Sequence, residues 1–319
     1  MVVSLVAEDQ RLLVGGMARL DIPADDEAQA ATLALLTMGR QQSAAGVLLI
    51  GYEDITGKAS HALRTLAGAS TVAGMRLLDV FTVNGDRYRS LGCTETTCCP
   101  PDGKAVPVTD LTAESVAAGS APYNDRGDLE RRYAAEEKAT EIGRLCDDLA
   151  AEAPVAAGDG LTCWAQLLRD PDHGDPEIIA TAAAALRVTE PLHVRDALLL
   201  WLCPGLADVT DERAARLVDV VRAHLADALP WGGPDGTRAD RAAAASVAGV
   251  LARVCASLPD RHASQALAVA GYFAWWHGDG ATTVVTLERI RATEPLTGLA
   301  DLLDRLVTAA VRPPGLQPR

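Results

Sequence analysis

Three of the seven cysteines fall within one short run, Cys93-Thr94-Glu95-Thr96-Thr97-Cys98-Cys99-Pro100-Pro101-Asp102-Gly103. Packing alone does not tend to place three thiols on a turn-rich loop. Thiolates are soft ligands that suit zinc, and a closed structural zinc site takes four of them. This run offers three sulfurs, two of them on adjacent residues and hard to aim at one ion. His61 is the only histidine in the first half of the chain, and nothing in the sequence places it near the loop. Redox chemistry is a second reading, with Cys93 and Cys98 closing a short disulfide and Cys99 left as a resolving thiol. The third reading asks least: a reduced cluster that pins a proline-rich loop to its sheet. That one is preferred, so no cofactor is predicted, and zinc at Cys93, Cys98 and Cys99 is the minority alternative. The other four, Cys146, Cys163, Cys203 and Cys255, are scattered through helical sequence and read as small buried hydrophobes.

Carboxylates make a second candidate group. Asp21 and the pair Glu53-Asp54 lie at strand exits, and Asp79 lies within its strand. Ligands of open α/β sheets bind beyond the carboxyl ends of the parallel strands. A carboxylate pair there could hold Mg²⁺ or act as acid and base. The plainer reading, and the favoured one, is helix capping and loop solubility. A third group, Trp276, His277 and Asp279, joins two helical stretches and is a candidate partner surface. The plainer reading again makes Gly278 a helix end, Asp279 a cap and the aromatics core.

These groups need elements to position them. Leu12 to Leu20 reads as a strand stopped by Pro23, and Ala30, Leu33, Ala34 and Thr37 follow at helical spacing. Val47-Leu48-Leu49-Ile50 is an uninterrupted apolar run, as in a strand buried on both faces. Ala59 to Val72 predicts a second helix and Leu77 to Val83 a third strand. Asn84-Gly85 then marks a hairpin, because type I′ turns need positive φ at both central positions. The first half thus predicts β-α-β-α-β-β, a mixed sheet with a parallel core. Leu129 to Ala153 reads as one long charged helix bridging the halves. From Gly160 onward every stretch has helical period, including the stripes Ala214-Leu217-Val218-Val221-Leu225-Leu229 and Leu296-Leu299-Leu303-Leu306. The expected domains are an α/β domain over 1–122, a bridging helix over 123–156, an all-α domain of helical hairpins over 157–312, and a disordered tail over 313–319.

Composition narrows the function. The 319 residues are 49% apolar and 23% charged, which is the balance of folded domains. Only Lys58, Lys104 and Lys138 stand against an excess of arginine, the codon bias of a GC-rich genome. A formal charge of −14, with no dense basic run, argues against nucleic acid or an anionic membrane as partner. The opening Met-Val-Val-Ser-Leu-Val lacks a basic leader, and no stretch reaches the ~18 apolar residues of a membrane span. A cytoplasmic location is expected. There is no Gly-x-Gly-x-x-Gly after a strand, no Walker-type loop, no His-Glu-x-x-His and no Gly-x-Ser-x-Gly, so the commonest nucleotide, protease and hydrolase classes are disfavoured.

Several blocks together resemble a known family. Ala18-Arg19-Leu20-Asp21-Ile22-Pro23, then Gly85-Asp86-Arg87-Tyr88-Arg89-Ser90 leading into the Cys-x4-Cys-Cys-Pro run, is similar to an actinobacterial family known as domain of unknown function 4192. Val194-Arg195-Asp196-Ala197-Leu198-Leu199 and Ala274-Trp275-Trp276-His277-Gly278-Asp279-Gly280-Ala281 resemble that family's helical half. Members typically open with a longer leader before the first strand, so the resemblance implies a shortened start. It implies no activity. The reading favoured at this point is a non-enzymatic binding or scaffold protein whose helical half meets a protein partner, itself or another. The alternative is a small-molecule or nucleotide-binding enzyme working near Glu53 and Asp54, with thiol redox or metal chemistry at the cysteine loop.

Overall fold

The computed structural model describes residues 2–8, 11–18, 22, 28–41, 44–107, 109, 126–151, 154–170, 172, 174–187, 194–203, 206, 223, 225, 241–309, 311 and 313. The chain divides into two compact units, Met1–Thr109 and Asp110–Arg319. Residues 110–125, where the sequence placed the end of the α/β domain, lie outside the described set. So do Asp21, most of the stripe from Ala214 to Leu229 and the tail beyond Pro313.

The first unit is a six-stranded sheet in the order β2-β1-β3-β4-β5-β6. Its strands are β1 (Val2–Glu8), β2 (Arg11–Ala18), β3 (Gly46–Tyr52), β4 (Arg76–Asn84), β5 (Arg87–Ser90) and β6 (Lys104–Ala105). Two helices interrupt them, α1 (Ala28–Gln41) and α2 (Ser60–Val72). The α/β character expected from sequence is present, with one more strand at each end. Val2–Glu8 pairs antiparallel with both β2 and β3. The parallel core is therefore a single pair, β3 and β4, joined by the α2 crossover. Parallel strands need such a crossover, whereas the remaining antiparallel neighbours can be joined by turns.

The apolar run of β3 behaves as its composition dictates. Val47 and Leu49 are buried, and Leu49 packs with Ala59, Leu63, Leu66 and Val80 in the core of this unit. Gly51 lets α2 approach, since a Cβ there would lie 2.7 Å from the Ala59 methyl and 2.8 Å from Leu63 Cδ1. Helix α1 turns the other way from its expected stripe. Leu33, Ala30 and Thr37 are exposed, while Thr32 and Gly39 are buried, with Met75 Sδ against Gly39. The hairpin register also differs by one position. Asn84 pairs with Arg87, so Gly85 (φ +57°) and Asp86 form the two-residue turn.

The second unit is helical: α3 (Arg126–Tyr133), α4 (Ala139–Ala151), α5 (Ala157–Arg169), α6 (Pro176–Ala185), α7 (Val194–Leu202), α8 (Arg241–Ala256), α9 (Asp260–Trp276), α10 (Gly280–Arg291) and α11 (Gly298–Thr308). The long charged helix expected over 129–153 is broken between α3 and α4. Ala134 to Lys138 contains no breaker; the Glu136 N–H donates instead to the Ala256 carbonyl (2.8 Å), a tertiary bond that overrides local propensity. Helix α9 is buried nearly all round, with Ala263, Ala266 to Ala270 and Tyr272 to Trp276 all covered. A helix apolar on every face belongs at the centre of a core. It packs against α6, α7, α8, α10 and α11. Pro176 at the first turn of α6 and the Asp175 carboxylate accepting from Glu177 N–H (2.9 Å) show how its start is fixed.

Candidate functional site

The thirteen-residue stretch between β5 and β6 carries the three clustered cysteines, and it is tied down at both roots. At its entry the Ser90 hydroxyl donates to Asp79 Oδ1 (2.6 Å) and accepts from Gly92 N–H (3.2 Å). Asp79 Oδ1 also accepts from Val80 N–H (2.7 Å). At its exit the Arg87 guanidinium donates through Nε to the Asp102 carbonyl (2.6 Å) and through Nη2 to the Gly103 carbonyl (2.7 Å). Gly103 has φ +72°, and a Cβ there would sit 2.9 Å from the Tyr88 carbonyl oxygen. Only glycine fits that closure.

Between these roots a turn closed by Cys99 N–H donating to the Glu95 carbonyl (2.7 Å) folds the loop back on itself. Its result is convergence: the sulfurs of Cys93, Cys98 and Cys99 all lie within 4.8 Å of one another. The adjacency of Cys98 and Cys99 is no obstacle to this. All three are free thiols; Cys98 is exposed and the other two are half-buried. Hydrogen bonding from the Cys93 thiol, and then from the Ser90 N–H, holds Cys99 below the usual thiol range. The same contact with Cys99 raises Cys93, against a backbone N–H from Glu95 that lowers it. The contact thus shifts ionisation toward Cys99 and away from Cys93, with Lys104 adding positive charge nearby.

The carboxylates do not converge with one another. Glu53 is buried and its Oε2 accepts from Ala59 N–H (2.9 Å), fixing the start of α2. Asp54 is exposed and paired with Lys58 (3.0 Å), the contact that lowers its pKa. Asp79 lies within β4, opposite Leu48, while the Glu53 N–H meets the Val83 carbonyl. The Glu53 backbone thus meets β4 at Val83, four residues beyond Asp79 and about 13 Å along the strand at its usual rise. Asp79 anchors the cysteine loop and does not line a strand-exit crevice. Asp21 lies outside the described residues.

The third candidate group is also structural. Trp276 is buried at 5% exposure, so it is core and offers no partner surface. His277 caps α9, lies tilted against the Phe273 ring (4.4 Å between centroids) and meets the Leu202 carbonyl through Nε2 (3.1 Å). Gly278 takes the left-handed conformation, and Asp279 accepts from Thr282 N–H (3.0 Å) and Oγ1 (2.6 Å), capping α10.

One cluster escaped sequence reasoning. His262 is buried between Asp147 (Nε2 to Oδ1, 2.7 Å) and Arg187 (Nδ1 to Nη1, 3.3 Å). A guanidinium only donates, so Nδ1 accepts and Nε2 carries the proton toward Asp147. Arg261 pairs with the same carboxylate (2.7 Å) and, with His262, holds Asp147 below the usual carboxylate range. Asp147 and Arg187 lie 115 and 75 residues from His262 in sequence, and no local signal marks them. They join α4 to the start of α9.

Two hollows lie in the helical unit. A 610 Å³ depression is lined by the charged side chains of Glu136, Glu137, Lys138, Glu141 and Arg144 together with Thr140. A 330 Å³ hollow is lined by residues including Tyr133, Val285 and Arg289, the last already donating to the carbonyls of Tyr133, Cys255 and Leu258. No helix among the described residues is long and apolar enough to cross a membrane.

Comparison with known proteins gives one result. Neither the curated proteins nor the solved structures contain a match. A family described as domain of unknown function (DUF4192) matches residues 1–314. By a match over nearly its whole length, the chain belongs to the DUF4192 family.

Proposed function

We propose that this chain is a cytoplasmic, non-enzymatic binding or scaffold protein whose helical unit docks a protein partner. The observation that carries the reading is the last helix. On α11, Leu303 and Ala300 are buried, and Leu299 and Leu306 pack half-buried against the same core. Leu302, on the flank of the helix, is 42% exposed. An exposed leucine beside a packed apolar stripe offers an anchor for the apolar face of a partner helix. The formal charge of −14 makes a protein a better partner for this chain than a polyanion.

How the polar groups are committed supports the same view. Glu53, Asp79, Asp279 and His262 each hold a neighbouring element in place. A catalyst needs several groups aimed at one reacting atom. The enzyme alternative at Glu53 and Asp54 has less support, because one carboxylate fixes a helix start and the other faces solvent paired with Lys58.

Sedimentation of the full chain, alone and in native cell extract, tests the reading. The expected result is an assembly larger than the monomer that is lost on Leu302→Glu, with circular dichroism unchanged. A free monomer under both conditions would overturn it. So would a thermal upshift of several degrees by a nucleotide or organic acid that disappears in Asp54→Asn, since a ligand that prefers the native state raises apparent stability.

A further inference from the structure

We propose that Cys93, Cys98 and Cys99 form a binding site for one thiophilic d¹⁰ metal ion, Zn²⁺ in the first instance, with the fourth coordination position open to solvent or to an external ligand. The site belongs to the α/β unit and stands independently of the helical docking face.

Distance carries the argument. Zinc binds thiolate sulfur at about 2.3 Å, which sets three sulfurs around one ion roughly 3.8–4.0 Å apart in tetrahedral or trigonal arrangement. The three sulfurs here already lie within 4.8 Å of one another, so closing on an ion takes side-chain adjustments of under about 1 Å. A disulfide is a different geometry, with sulfurs at about 2.05 Å and a fixed dihedral. All three thiols are free.

The loop is built to hold that arrangement. Both roots are fixed by charged side chains, Asp79 through Ser90 at the entry and Arg87 on the carbonyls of Asp102 and Gly103 at the exit. Between the roots, the Cys99 N–H donates to the Glu95 carbonyl (2.7 Å) and closes the turn that brings the sulfurs together. Outer contacts of this kind orient ligands and tune the metal. Three thiolates and one divalent ion leave a net charge of −1, and the cations of Lys104 and Arg87 lie on the neighbouring strands.

Coordination number sets the chemistry. Closed structural zinc sites use four protein ligands, whereas sites with three keep one position for an exchangeable ligand. Among the described residues the ligand set here is three, and Cys98 is at the surface. The fourth position on the bound ion is therefore open to an exchangeable ligand and accessible from the surface. Binding releases the thiol protons that remain at the pH of the experiment, so affinity rises with pH.

The test uses the reduced full chain with Co²⁺ as spectroscopic probe and Zn²⁺ as competitor. One Co²⁺ per chain is expected to give thiolate-to-metal charge transfer and intense visible bands of tetrahedral cobalt, both erased by Zn²⁺. Cys93→Ser, Cys98→Ser and Cys99→Ser should each weaken binding more than ~100-fold, beyond what loss of an outer-shell partner costs. Cys163→Ser, in the helical unit, should leave the spectrum unchanged. No charge-transfer band from a chain whose three loop thiols titrate as free would overturn the proposal. A band of undiminished strength and affinity in Cys93→Ser would overturn it equally.

Discussion

Six of the seven cysteines divide between two environments, and the division shows what the fold does to one functional group. In the helical unit Cys146, Cys203 and Cys255 are buried, and burial pushes the thiols of Cys146 and Cys255 up to about 11 and about 12. Such thiols are inert packing atoms at neutral pH. In the α/β unit three cysteines sit on a surface loop whose sulfurs converge, and Cys99 is lowered instead. The same side chain is core material in one unit and, in our proposal, a ligand in the other. Desolvation decides the first case; hydrogen bonds and gathered sulfurs decide the second.

The two units differ equally in how they should break. The largest effect is expected from Trp164→Ala in α5. Trp164 is 0% exposed and its indole N–H donates to the Ala182 carbonyl (3.0 Å). Truncation opens a cavity and orphans a buried acceptor, for a loss of about 3–5 kcal/mol. All five tryptophans lie in the second half of the sequence, so fluorescence-detected denaturation reports this loss directly.

In the α/β unit, Glu53→Ala should cost about 1–3 kcal/mol, because the Ala59 N–H loses its buried acceptor. Glu53→Gln keeps an acceptor oxygen and should cost less than about 1 kcal/mol. Amide exchange at the start of α2 reads both. If the tryptophan signal moved as far as the exchange rates, the two units would unfold as one and the contrast between them would fall.

Alkaline pH probes the buried thiols. Their folded pKa is raised, so the folded state holds the proton longer than the unfolded chain does. The stability this gives is complete below pH 9.0, the ordinary thiol value, and is lost as pH rises toward about 12 for Cys255. Cys255→Ala should flatten that decline in a pH series of urea midpoints. Cys98→Ser, at an exposed position, should change stability by less than about 0.5 kcal/mol at any pH in the series.

How much of this was legible in sequence depends on whether local chemistry or distant contacts decide each feature. Val47 to Ile50 announces a strand because an unbroken apolar run of that length has few other places to go. Asp279 after Gly278 announces a cap for the same local reason. The break at Ala134 to Lys138 has no local cause, since every residue there favours helix and the Ala256 carbonyl imposes the change. The outward side of α1 is decided by neighbours, Met75 among them, that lie far along the chain. At the cysteine loop the spacing revealed three thiols and suggested a cluster, but made one common ion look hard to reach. The convergence depends on the turn from Glu95 to Cys99 and on roots held by Asp79, which read as a crevice acid, and by Arg87.

The claim that three surface thiols act as one ligand set is tested most directly by site-resolved alkylation of the native, reduced chain with and without Zn²⁺, read by peptide mass spectrometry. Without metal, Cys93, Cys98 and Cys99 should label quickly, while Cys146, Cys203 and Cys255 stay unlabelled. With stoichiometric Zn²⁺ the three loop cysteines should be protected together and to the same extent. Protection of one alone, or labelling of all three at an unchanged rate, would contradict the account.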